Sequence, residues 1–434
     1  MTAVAPENVF FSWFSNEKTA FAWSLAIYAG LLILLYRQNL WLKQQLRLGK
    51  EKRLFLVNLE LILFFLCFYF ILGAQRFPLS LKPFGQTALT IFSILLYFTA
   101  LLIFHINEEK TTRQHNVVTK KAISSLRFLI PFVLPFIFFV ILSDVILALP
   151  LQSIKSLFEI GPIAPYTPWL LFGVSIMLII TTMIFLPPLM VLAWGCPPLK
   201  PSPLTTRLEA LCQKAQFKHR GFRVWTVMAD SLTAAIIGII GYFRYILFTQ
   251  KLLDQLTPEM IEAILAHEIG HSYRKHLWIY PLILFGMLVT ASLASGLFYE
   301  GFLWLITSLD IAPETLKTYE PLFIFIVFAI AMAVYFRFVF GYFSRLFERQ
   351  ADLHVFQLKI PPEHLIDALN AVAISLGYIH FQPSWHHFSI QERIDFLKKA
   401  QQNPQLISKH HRKTYISLLA YLAALAIATT LLVF

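Results

Sequence analysis

Eight runs of predominantly apolar residues, near 20–36, 54–73, 85–105, 128–149, 168–194, 277–298, 321–343 and 415–434, constrain this chain more than any other feature. About 20 such residues cross roughly 30 Å of hydrocarbon at about 1.5 Å per residue. Inside a bilayer the backbone must satisfy its own hydrogen bonds, so each run is expected to be a helix. Composition points the same way: with 57% hydrophobic and only 14% charged residues, the chain lacks the charge to cover a soluble globule of 434 residues. The residues before the first run include Glu7, Glu17 and a single Lys18, and "LLYRQ" at its end offers no small-residue cleavage site. That run is expected to stay as an anchor.

The formal net charge of +12 raises the question of nucleic acid. Nucleic-acid binding needs basic residues gathered on a folded face, whereas these fall between apolar runs, so no nucleic-acid partner is expected. Their distribution sets an orientation instead: 30 of the 36 Lys and Arg fall in the stretches 37–53, 106–127, 195–276 and 344–414. Cytoplasmic loops carry that excess, which places both termini outside. The three cysteines, Cys67, Cys196 and Cys212, are too few and too scattered for a disulfide framework or zinc knuckles.

A Pro-rich stretch, "CPPLKPSP" at 196–203, marks the clearest boundary. It separates an amino-terminal membrane region of five spans (1–195) from a region over 196–412 that a membrane hairpin (277–343) interrupts, followed by a carboxy-terminal span (413–434). After the boundary the pattern changes to a helix from about 204 ("LTTRLEALCQKA"), a β-branched and aromatic strand at 222–228 ("FRVWTVM"), a turn-like stretch and a second strand at 245–250 ("YILFTQ"). The fold expected is therefore mainly α: a polytopic helical membrane protein of about eight spans with a small α+β cytoplasmic domain.

A further helix should begin at Pro258, with Thr257 as its cap and Glu259 and Glu262 in the opening turns. It carries "AHEIGHSYRKH". His267 and His271 are four apart and share a face, with Glu268 beside them. Two neutral imidazoles at this spacing can hold one zinc ion, and the adjacent carboxylate can take a proton from water, as in HExxH metalloproteases. His276, five residues past His271, points to another face of a continuous helix, so a third ligand must come from elsewhere. In "YFSRLFERQADLHVF" (342–356), Glu348 and Asp352 are four apart with Arg345 one turn earlier. Taken alone this is a surface salt-bridge ladder. Beside an HExxH helix it offers an oxygen ligand and a carboxylate that could hold a ligand histidine in its tautomer.

"HEIGH", then "SRLFERQAD" after a hairpin, then "HFSIQERIDFL" (387–397) resemble the membrane metallopeptidase family that includes the CAAX prenyl proteases and the HtpX heat-shock proteases. The resemblance covers about 204–398. It implies a zincin-like catalytic domain of the glutamate-ligand type, with His267, His271 and Glu348 as ligands of one zinc ion per chain. It also implies Glu268 as general base, Asp352 as partner of a ligand histidine, and His387 and Arg393 as catalytic groups that bind substrate or steady the oxyanion. Thr233 and Ala234 in "SLTAAIIG" fall on its substrate-binding edge. Phe388 stands where the family usually has proline and Thr233 where it usually has asparagine; His386 adjoins His387.

The function expected is a zinc-dependent endopeptidase embedded in the membrane, bacterial cytoplasmic by expectation. It would act at the cytoplasmic face on membrane-associated or misfolded proteins, with the bilayer itself as a partner. Removal of the last residues of prenylated proteins is an alternative within the family. A channel or transporter is an alternative of another class, whose signature would be intramembrane charges such as Asp144 and Arg337. Both metal helices are expected to continue directly from spans six and seven, holding the metal at the inner headgroup level.

Overall fold

The computed structural model describes residues 17–44, 50–66, 76–110, 115–148, 167–308, 313–377, 380–382 and 387–433. They belong to two compact units, Met1–Thr182 with Leu192–Trp194, and Met183–Val191 with Gly195–Phe434.

The first unit holds α1 (Glu17–Gln44), α2 (Lys50–Leu66), α3 (Arg76–Ser80), α4 (Gly85–Lys110), α5 (His115–Ala148) and most of α6 (Thr167–Trp194). Helices α1, α2 and α4 enclose Tyr28, Leu61, Phe64, Leu96 and Phe104. Ile33, Leu34, Phe55 and Phe136 stand exposed on the outside, as lipid-facing residues do. Asp144 is buried in α5, and its carboxylate accepts a 2.7 Å hydrogen bond from the backbone N–H of Thr87 in the first turn of α4. That contact caps a helix whose opening N–H groups have no partner of their own. The intramembrane charge thus has a structural role.

The second unit continues with α7 (Pro203–Lys214), β1 (Gly221–Val224), β2 (Ala234–Ile237), β3 (Tyr245–Phe248), α8 (Gln250–Gln255), α9 (Pro258–Tyr273), α10 (His276–Ser308) and α11 (Pro313–Tyr335). A π-helical turn (Phe336–Phe340) joins α11 to α12 (Gly341–Asp352), and α13 (His354–Gln357), α14 (Pro362–Ser375), α15 (Ile390–Gln402) and α16 (Gln405–Val433) follow. Strand β3 is central: it pairs in parallel with β1 and antiparallel with β2, and all four of its residues are buried. An unbroken apolar run suits a strand covered on both faces. Its side chains pack with Leu208 of α7, Leu252 of α8 and Ile261 and Leu265 of α9 in one core.

Among the described residues six helices are long and apolar enough to cross a membrane, and they match the first, third, fourth, sixth, seventh and eighth expected spans. The second expected run passes beyond the described residues after Leu66, and the fifth coincides with α6. The protein is an integral membrane protein of mainly helical fold with a small sheet.

Three expectations are corrected. The strand expected over 222–228 stops at Val224 and gives way to a 3-10 turn at Thr226–Met228. The stretch read as a turn contains β2, an edge strand whose residues alternate between buried and half-buried but are all apolar, so no polar face announces it. The first metal helix, moreover, does not run straight into the sixth span. Helix α9 is closed at Arg274, whose N–H bonds the Gly270 carbonyl, and Lys275 takes φ +59° before α10 starts. A non-glycine residue in that left-handed region costs about 1 kcal/mol. The bend redirects the chain there. By contrast α11, the π turn and α12 form one continuous helix, as expected for span seven.

Candidate metal centre

Helix α9 starts at the expected residue, with the Thr257 hydroxyl accepting from the N–H of Met260 at 3.4 Å. It crosses α12 at Gly270. A Cβ there would lie 2.8 Å from the Cβ of His354 and 3.0 Å from the Cα of Ala351. The middle glycine of the motif thus permits the approach that brings two helices' ligands together. Gly270→Ala is expected to cost about 1–3 kcal/mol through overpacking, read as a lower melting temperature together with weaker metal retention. An unchanged melting temperature would show that the crossing tolerates the methyl group.

Across that contact one nitrogen each of His267 and His271 and one oxygen of Glu348 lie within 4.8 Å of one another. Both imidazoles turn Nε2 toward Glu348: His271 Nε2 is 3.3 Å from its Oε1 and His267 Nε2 is 3.8 Å from its Oε2. Two imidazole nitrogens and a carboxylate oxygen, convergent on two buried residues and the half-buried His271, are a donor set that fits zinc and leaves a position open for water or substrate. Glu348 and Asp352 are 8% and 1% exposed, which a surface salt-bridge ladder would not show.

The far nitrogen of each histidine faces a partner. His267 Nδ1 lies 2.9 Å from Asp352 Oδ1, and His271 Nδ1 lies 3.0 Å from His276 Nδ1. Burial alone would lower the His267 pKa, but the hydrogen bond and charge of Asp352 outweigh it and hold it above its usual value. Asp352 also receives Arg393, at 2.9 Å from Nε and 2.6 Å from NH2. Arg393 NH1 stands 3.7 Å from Glu348, and His387 Nδ1 stands 3.2 Å from the same carboxylate. His386 lies outside the described residues.

Glu268 makes no ligand contact and lies on the wall of a cavity of about 800 Å³. Burial pushes its carboxyl above the usual range, opposed by the neighbouring histidines and by a backbone hydrogen bond from Ile236. His267, His271, Glu348, His387, Arg393, Thr233 and Ala234 line the same cavity, and Asp352 sits behind it. Every sequence-identified residue is therefore brought to one place. The sequence reading missed His276, Gln350 and the anchor of the His387 segment. There the Arg349 guanidinium lies between two rings, 3.9 Å from the Phe388 centroid and 4.2 Å from that of Phe396. The three closely spaced histidines were a signal for His276, but only as a rejected ligand.

Residues 198–401, from the Pro-rich boundary into α15, match the model of peptidase family M48. No curated protein matches the chain. Among solved structures, the crystal structure of S. mikatae Ste24p is similar at 17% sequence identity and a TM-score of 0.47, covering 88% of this chain and 98% of that one.

Proposed function

Because this integral membrane protein carries a peptidase family M48 domain over residues 198–401, and is thus a membrane metallopeptidase, we propose that it is a zinc-dependent endopeptidase cutting membrane-associated or misfolded proteins at the cytoplasmic face. The observation that carries this reading is the convergence of His267, His271 and Glu348 within 4.8 Å, with Glu268 on the wall of the adjoining cavity.

His267 Nε2, His271 Nε2 and a Glu348 oxygen would hold the ion, which when bound supplies a Lewis acid that acidifies water and polarises the scissile carbonyl. Glu268 accepts the proton of the attacking water and passes it to the leaving amine. Its raised pKa brings it closer to neutral pH, where a general base works best. Asp352 keeps His267 in the tautomer that frees Nε2. Arg393 directs Nε and Nη2 to Asp352; its Nη1 and the partly exposed His387, both beside Glu348, line the cavity, where they would bind substrate and steady negative charge on its carbonyl oxygen. Thr233 and Ala234 begin the edge strand β2. Thr249 of the β3 end donates its N–H to the Thr233 carbonyl, so in an antiparallel pair the outward groups belong to Ala234 and Ile236, and the Ile236 N–H, which bonds the Glu268 carboxylate, is the one a substrate strand would have to share. An extended substrate can add there as a further strand.

The cavity also reaches Leu277 and Tyr280 of α10, so a substrate approaching from the inner headgroup level meets apolar surface. Positive charge on the loops that carry the site supports a cytoplasmic active site with both termini outside, as in a bacterial cytoplasmic membrane. The test is purified protein with metal analysis and a quenched peptide library: one zinc per chain, hydrolysis lost to chelator and restored by zinc. A peptide tethered to lipid should be cut faster than the free peptide, and preference for a farnesylated CAAX peptide would move the reading to prenyl-protein processing. For orientation, a cysteine at Tyr242, which is 84% exposed, should react only with cytoplasmic reagent. Labelling from outside would invert the topology.

A further inference from the structure

Behind His271, away from Glu348, polar side chains form an unbroken series. His271 Nδ1 is 3.0 Å from His276 Nδ1, and His276 Nε2 is 3.0 Å from Gln350 Oε1. Gln350 Nε2 is 3.1 Å from His411 Nδ1, and His411 Nε2 is 2.9 Å from Arg274 NH2. His276 is fully buried and Gln350 is 2% exposed, and the His276 ring is stacked on Phe347 with centroids 4.3 Å apart. Little room remains for water to correct a mismatched contact.

The polarity of such a series is constrained. A neutral imidazole offers one donor and one acceptor nitrogen, a primary amide offers one of each to two neighbours, and a guanidinium only donates. If Arg274 donates to His411, each link must pass the direction on. His411 then donates to the Gln350 oxygen, the Gln350 nitrogen to His276, and His276 Nδ1–H to His271 Nδ1. The His271 proton is left on Nε2, facing Glu348 Oε1 at 3.3 Å. Every contact is satisfied, but Nε2 has no lone pair for a metal.

A ligand His271 needs its proton on Nδ1, and the series must then run outward. His276 donates to Gln350 and Gln350 to His411, as the amide now stands with oxygen toward His276 and nitrogen toward His411. His411 Nε2–H then meets the N–H of Arg274, donor against donor. A series with a donor at each end and one-donor, one-acceptor links between cannot satisfy all its contacts.

We propose that His276, Gln350 and His411 form a polarity relay that sets metal binding by His271 against docking of Arg274 on His411. Arg274 is thereby an antagonist of metal affinity built into the bend between α9 and α10. Coupling of this kind is reciprocal: metal binding loosens Arg274, and whatever draws the guanidinium off His411 tightens the metal. The inference rests on the reading of His271 as a metal ligand.

The test uses the full chain in detergent or nanodiscs, with zinc affinity read by competition against a chromophoric chelator. Arg274→Met removes the opposing donor and should tighten zinc by about 3- to 10-fold, the worth of one hydrogen bond. In a His276→Phe background, which keeps the stacking and cuts the relay, Arg274→Met should change nothing. His276→Gln, which accepts on one side and donates on the other, should restore the effect, and Gln350→Met, which breaks the series at its next link, supplies the cut background if the Phe variant fails to fold. A purely structural Arg274 would weaken or leave unchanged the affinity when removed, and either result overturns the relay, as does an equal gain in the cut background. Nitrogen-15 shifts of the His411 ring should exchange tautomers on zinc addition; a fixed tautomer also overturns it. His271→Ala tests the premise apart: full-affinity zinc in that variant sinks the metal-centre reading itself.

Discussion

Glu268→Gln is expected to keep full zinc content and lose about 10²- to 10⁴-fold in peptide hydrolysis, the range for removing a positioned general base. The amide cannot accept the proton, yet the ligands do not include this side chain: they converge from His267, His271 and Glu348. A second readout separates the chemistry from the fold. Burial raises the Glu268 carboxyl above its ordinary pKa, so the unfolded chain ionises first as pH rises. Stability supplied by the neutral form is present below the ordinary carboxylate pKa and is lost as pH climbs through the raised one. The metal-free Gln variant should therefore melt higher than the parent at neutral pH, with the gap closing toward pH 4. Near-normal turnover would remove Glu268 from its role, and a gap that widens on acidification would show that the carboxylate is stabilised where it sits.

How far the site was legible depended on whether a residue's partner was near in sequence. HExxH declares itself because two histidines four apart share a helical face whatever surrounds them, and Thr257 with Pro258 fixed the start of that helix. Glu348 and Asp352 stood out by the same spacing, although only the crossing at Gly270 turns a surface pattern into a buried one. The edge strand β2 was hidden because its Ala234–Ile237 run is apolar on both faces. On a continuous helix His276 would point away from His271. The left-handed Lys275 ends that continuity and swings the ring back against His271. No periodicity encodes such a residue, because its conformation is imposed by what packs on either side. Arg393 could be placed near the site by resemblance, but its double hydrogen bond to Asp352 is a contact between α15 and α12 that sequence spacing does not reveal.

Glu348→Ala is expected to weaken zinc binding by more than 100-fold and to abolish hydrolysis at ordinary metal levels. The carboxylate is where four groups meet: His267 Nε2 at 3.8 Å, His271 Nε2 at 3.3 Å, His387 Nδ1 at 3.2 Å and Arg393 NH1 at 3.7 Å. Its removal strips one of three protein donors and leaves Arg393 with a single carboxylate. Asp352→Ala should cost less in metal, about 10- to 100-fold, because it acts on the ion only by orienting His267. The order of the two effects is the informative result. Should Asp352→Ala release zinc as completely as Glu348→Ala, the oxygen ligand would belong to Asp352 or be shared, and the roles drawn from their distances would exchange. Glu348→Gln guards against a trivial collapse. It keeps the volume at a position 8% exposed but offers only a neutral oxygen, so a folded protein with weak zinc is expected. A Gln variant that holds zinc as tightly as the parent would mean that the two histidines and another group suffice, and the third ligand would have to be sought at His387.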